Sequence, residues 1–117
     1  MNRRIAKRYN IFIETAIESK GIRTEGVTFN VSLTGVCVCC LSPFGGKAPV
    51  SLTLYFHDVK EGILKEVVQG VVQWEQKFGR LFMVGIKFPA PLSAEDHFII
   101  LSHIEQAKEF SEEASES

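Results

Sequence analysis

Apolar and polar residues alternate along most of the chain with a period of two, the spacing of a strand that buries one face. The clearest stretch is residues 50–57, where Val50, Leu52, Leu54 and Phe56 interleave with Ser51, Thr53, Tyr55 and His57. A first strand is expected over residues 9–17, with Ile11, Ile13 and Ile17 on one face and Thr15 interrupting the set. Residues 36–41 are apolar at every position and read as a buried strand, ended by Ser42-Pro43 and the Gly45-Gly46 pair. Residues 64–74 form a long strand with Val68, Gly70, Val72 and Trp74 on one face and Val67, Gln69, Val71 and Gln73 on the other. On this reading Gly70 marks a bulge or a close backbone approach, and Trp74 packs in the core. Residues 80–88 make a further strand, stopped by Pro89 and Pro91.

Glycines and short polar residues punctuate these strands. Gly21 and Gly26 bracket a polar turn or hairpin, and residues 30–35 form a turn between strands, where Gly35 supplies a positive φ. Ser93, followed three residues later by Asp96, resembles a capping box opening a helix over residues 94–110. Phe98, Ile100, Leu101, Ile104 and Ala107 give that helix an apolar stripe, which covers either one end of its own barrel or a partner, a second copy included. Residues 111–117 read as a flexible acidic tail after a single domain over residues 1–110. Five or six strands, turns marked by glycine and one terminal helix favour an all-β fold, a small antiparallel barrel with a C-terminal α-helix.

Composition narrows the function classes. The 117 residues are 45% apolar and 23% charged with a formal charge of −1, which fits one globular domain and argues against a general nucleic-acid coat. No stretch approaches the roughly 20 apolar residues that span a bilayer, and the polar interruptions after the basic start leave no signal-peptide core, so a cytoplasmic protein is expected. Cys37, Cys39 and Cys40 are too few and too close together for a disulfide framework and match no zinc spacing. His57, His97 and His103 stand apart, and no nucleophile elbow, phosphate loop or metal cluster occurs, so no enzyme is expected.

Charge is segregated instead. Arg3, Arg4, Lys7 and Arg8 place four cations within six positions just before the first strand, while Glu109, Glu112, Glu113 and Glu116 crowd the final nine residues. Arginine's planar fork can grip a phosphate or a guanine edge, and its face can stack on a base. Arg4 and Arg8 form an Arg-x-x-x-Arg stretch, and Asn30, Ser32 and Gly35 follow as Asn-x-Ser-x-x-Gly. In this order the two stretches resemble the signature of the PilZ domain family. Gly70-Val71-Val72-Gln73-Trp74 and Gly85-Ile86-Lys87-Phe88 are similar to its later barrel strands, so the likeness runs over about residues 3–88.

The resemblance implies a six-stranded antiparallel PilZ-like β-barrel that binds cyclic di-GMP, a bacterial second messenger with two guanines and two phosphates, and needs no cofactor. In the family the arginines sit on a mobile N-terminal segment that folds over the ligand. Carried over, Arg4 and Arg8 contact guanine edges or phosphates, Arg3 or Lys7 supports them, Asn30 and Ser32 contact a guanine or shape the opposite wall, and Gly35 permits the turn. Asn30 stands where the family often has Asp, exchanging a negative charge for an amide donor. A receptor of this kind passes its signal to a protein effector, in motility or exopolysaccharide control, and uses neither DNA nor RNA. The alternative is a ligand-independent interaction scaffold built on the same barrel.

Overall fold

A computed structural model describes residues 7–116, with side chains through residue 109. Six strands form: β1 (Ile13–Ser19), β2 (Ile22–Val31), β3 (Gly35–Cys40), β4 (Pro49–Asp58), β5 (Gly62–Phe78) and β6 (Leu81–Lys87), followed by the helix α1 (Phe98–Glu116). All neighbours are antiparallel, and the order β1-β2-β3-β6-β5-β4 closes when β4 pairs back onto β1. Closure gives most strand backbone groups a partner on both sides.

The alternating pattern of β4 holds in full: Val50, Leu52, Leu54 and Phe56 point inward and are buried. With Ile17, Val38, Val68, Val84 and Ile86 they fill the barrel interior. Each such side chain contributes about 1.5–3 kcal/mol on leaving water. A buried polar pair inside is satisfied, since the Thr15 hydroxyl donates to the Ile13 carbonyl and lies 2.8 Å from the Thr28 hydroxyl.

Several boundaries differ from expectation. Tyr9 lies outside β1 and forms an isolated bridge with Val31, its N–H and carbonyl both bonded there. Gly26 is not a turn residue: the β1–β2 turn is made by Lys20 and Gly21, both at positive φ, and Gly26 sits inside β2. A Cβ on Gly26 would fall 2.5 Å from the Cys39 carbonyl, so the glycine admits β3 at close range. Gly70 serves a similar purpose, since a Cβ there would strike the Ile86 side chain.

The helix also starts later than the local sequence suggests. Ser93 and Asp96 do bond to each other, but they close only a turn over residues 94–96. Two amides of the first helical turn, those of Ile99 and Ile100, instead donate to the two carboxylate oxygens of Glu66 on β5, each at 2.8 Å. A carboxylate at this position satisfies two orphan donors and faces the positive end of the helix dipole. Ile100 and Ile104 bury into the barrel core, and His103 packs on Phe56 with ring centroids 4.7 Å apart. The helix therefore covers one end of its own barrel, while Phe98 from the expected stripe is 67% exposed. The backbone stays helical through Glu116, beyond the expected end at Phe110.

Glu66→Ala should destabilise the domain by about 2 kcal/mol through loss of the cap and its charge-assisted bonds. Thermal unfolding followed by circular dichroism checks this, and an unchanged midpoint would contradict the cap.

Candidate functional site

Two bulges set up the site. In β2 the register shifts between Thr28 and Asn30, and in β5 it shifts between Val72 and Trp74. Each bulge adds one residue, so the side chains beyond it swap faces. Both fall on one transverse row of the barrel, in which Asn30 pairs with Cys37, Cys37 with Gly85, and Gly85 with Trp74.

Trp74 is consequently not a core residue. It is 46% exposed, and three atoms of its pyrrole ring crowd the place that a Cβ on Gly85 would take. Gly85 is thus the seat of the indole, and any larger residue would push the ring away. The sequence signal for this was the pair Trp74 and Gly85 on adjacent strands, which becomes readable only when the bulge is known.

At the other end of the row Arg8 Nη1 donates to Asn30 Oδ1 at 2.8 Å. The Tyr9–Val31 bridge brings Arg8 there by fixing the backbone one residue later in both motif segments. Lys7 is exposed, its ammonium 5.6 Å from the centroid of the Tyr9 ring. Arg3 and Arg4 lie outside the described residues.

Ser32 has a different place from Asn30. It is 1% exposed, accepts the amides of Thr34 and Gly35 at 3.1 Å each, and donates to the Gly35 carbonyl at 3.2 Å. Its hydroxyl is committed to closing the turn. The turn in turn anchors the chain after β6, because the carbonyls of Thr34 and Leu33 accept the amides of Phe88 and Leu92. Gly35 is required for closeness rather than for a positive φ: a Cβ would fall 2.5 Å from the Ile86 carbonyl.

Arg8, Gly35, Gln73, Trp74, Gly85 and Lys87 line a groove of about 180 Å³, with Thr34 and Ile86 completing it. Among the described residues, two cations and no carboxylate face this groove, together with an aromatic surface and a side-chain amide. That set suits an anionic ligand carrying a planar base. Cys37, paired with Asn30 and Gly85 in the same row, remains a thiol at neutral pH, because burial pushes its pKa up while Arg8 offsets part of the rise. A larger hollow of about 560 Å³ lies over the outer faces of β1 and β2, where Arg23 is bonded to the Tyr55 hydroxyl and is outnumbered by Glu14 and Glu25, a poorer balance for a phosphate. Among the described residues no group of three or more His, Cys, Asp or Glu side chains could hold a metal ion.

The family model for the PilZ domain matches residues 2–106. The chain belongs to the PilZ family. Among solved structures, the Bacillus subtilis inhibitor of motility, MotI/DgrA, superposes with a TM-score of 0.69 at 13% identity, over 91% of this chain and 52% of that one. The PilZ chain described here thus spans about half the length of that protein. No individually curated protein matches. The six-stranded antiparallel ring with a C-terminal helix is accordingly the PilZ architecture, and proteins of this family act typically as receptors and adaptors for cyclic di-GMP. No helix of the described residues is long and apolar enough to cross a membrane.

Proposed function

We propose that this PilZ domain binds cyclic di-GMP in the groove between Arg8 and Trp74 and relays its presence to a protein effector. The observation that carries the reading is the 2.8 Å bond from Arg8 to Asn30, which unites the two halves of the family signature beside a tryptophan and a lysine. Arg8 and Arg4 grip guanine edges or phosphates, with Arg3 or Lys7 adding charge. Asn30 offers both a donor and an acceptor to a guanine edge and positions Arg8. Ser32 and Gly35 act through the turn, holding Asn30 and the groove wall in place. Trp74 supplies a stacking surface and Lys87 a second cation for the phosphates.

Arg8 is already held on Asn30, so a ligand gripped there meets a preformed contact and orders little more of that side chain. A ligand bound in the groove changes the surface that the domain presents to an effector and involves no chemical step, so the domain acts as a switch. Motility is the favoured process, since the structural neighbour is named an inhibitor of motility.

Trp74 is the single tryptophan of the chain, so its emission reports on the groove alone. Cyclic di-GMP should quench or shift that emission saturably, and Trp74→Ala should weaken binding by roughly tenfold, as expected for the loss of about 1–3 kcal/mol of base stacking. Emission that is indifferent to saturating cyclic di-GMP would remove Trp74 from the site.

A further inference from the structure

The outward side of β3 carries thiols. Val36, Val38 and Cys40 face the core, so Cys37 and Cys39 point out on one side of the sheet, both half-buried. The outward positions of β4 are Ser51, Thr53, Tyr55 and His57, the polar set expected of a wetted strand. Across from Cys39 on β6 stands Met83, also half-buried, and across from Cys37 stands Gly85. All three cysteines are free thiols, but they do not converge: the Cys40 thiol donates to the Ser42 carbonyl at 3.3 Å on the inner side. The third sulfur on the outer face is therefore the Met83 thioether.

Two thiolates on opposite sides of a metal ion stand about 4.6 Å apart at about 2.3 Å per bond. Positions two apart on a strand are separated by about 6.6 Å, and each thiol closes about one ångström of that gap by leaning along the strand toward the other. Met83, directly opposite Cys39, has a flexible side chain that reaches the same point. Two thiolates and a thioether are soft donors, the set that selects Cu(I). A tetrahedral zinc ion lacks its fourth ligand here. Val27 and Gln76 continue the row of Cys39 and Met83, Glu25 lies two residues beyond Val27 on β2, and His57 is held on β4 by Glu14.

Binding exchanges the two thiol protons for one Cu(I): the protons pass to solvent and the complex keeps one net negative charge. Arg8, whose charge already opposes the rise in the Cys37 pKa, is placed to offset it. Cys39 also lines the hollow of about 560 Å³, which gives the ion a path from solvent. None of the three sulfurs lines the groove beside Trp74, so the site stands whether or not that groove takes a nucleotide.

We propose that the outer face of β3 and β6 binds one Cu(I) ion between Cys37 and Cys39, with Met83 as the third ligand. Anaerobic titration of the reduced full chain with Cu(I), in competition with bicinchoninate and without nucleotide, tests this. One Cu(I) per chain should bind, with a thiolate-to-copper charge-transfer band in the near ultraviolet. Cys37→Ser and Cys39→Ser should each weaken binding at least about a hundredfold, more than the loss of an outer-shell partner costs. Met83→Leu, which keeps the volume, should weaken it roughly tenfold, while Cys40→Ala leaves it unchanged. Circular dichroism verifies the fold of each variant, and Met83→Leu carries the test should a cysteine variant unfold. No Cu(I) retained against bicinchoninate, equal losses in Cys40→Ala and Cys37→Ser, an affinity indifferent to Met83→Leu, or displacement of Cu(I) by equimolar Zn(II) would each overturn the site.

Discussion

Arg8→Ala should weaken cyclic di-GMP binding by roughly ten- to a hundredfold, the equivalent of losing one charge-assisted contact of about 1.5–3 kcal/mol. The fold should not suffer, because Arg8 is exposed and, among the described residues, its side chain bonds only to Asn30. Arg8→Lys should recover only part of the affinity: a lysine restores the charge but not the planar fork that spans two acceptors. Asn30→Ala should act in the same direction, through loss of a guanine partner and release of Arg8. Titrations of the three variants beside circular dichroism spectra check the set. Wild-type affinity in Arg8→Ala would exclude Arg8 from the site and with it the reading of the groove.

The largest effect on stability is expected at Gly35. Gly35→Val should cost at least about 3 kcal/mol, a substantial part of the margin of a small domain, because the new Cβ meets a backbone carbonyl that cannot rotate away. β3 and β6 would have to separate where Gly35 faces Lys87. Gly21→Ala makes an informative contrast. Gly21 has φ +80 with nothing within 4 Å of a Cβ, so its cost is only the left-handed backbone, about 1 kcal/mol. Urea unfolding of both variants distinguishes close packing from backbone strain. Equal midpoints for the two would contradict the role assigned to Gly35.

Most of the barrel was legible because its strands bury one face, and the alternation in β4 and in the first part of β5 records that burial directly. Parity arguments fail at a bulge. One unpaired residue between Val72 and Trp74 turned the tryptophan from the interior to the groove, and neither glycine nor proline marks the spot. Of the two readings offered for Gly70, the close approach holds, to the Ile86 side chain and the Lys87 carbonyl, while the bulge lies further along, between Val72 and Trp74.

The helix start shows a similar limit. Ser93 and Asp96 supply a local capping pattern, and they do form a turn. The stronger acceptor is Glu66, separated by 33 residues from the amide it caps at Ile99, and no local pattern can express such a pairing. Within the site, the resemblance to the PilZ signature put Arg8 and Asn30 at one ligand with Asn30 at a guanine or on the opposite wall, and their direct bond was not legible in the sequence. Gly35 was singled out correctly as a residue that must be glycine, but the reason is the proximity of β6. Ser32 was expected at the ligand or in the wall, and its buried, fully engaged hydroxyl places it with the turn.

The central claim is that the groove beside Arg8 and Trp74 takes cyclic di-GMP, and isothermal titration calorimetry of the purified protein tests it most directly. Cyclic di-GMP should bind in the low-micromolar range or tighter with a defined stoichiometry, while GTP and cyclic di-AMP produce no comparable heat. Absence of binding by demonstrably folded protein up to high-micromolar cyclic di-GMP, or equal binding of all three nucleotides, would contradict the account and leave a ligand-independent interaction scaffold in its place.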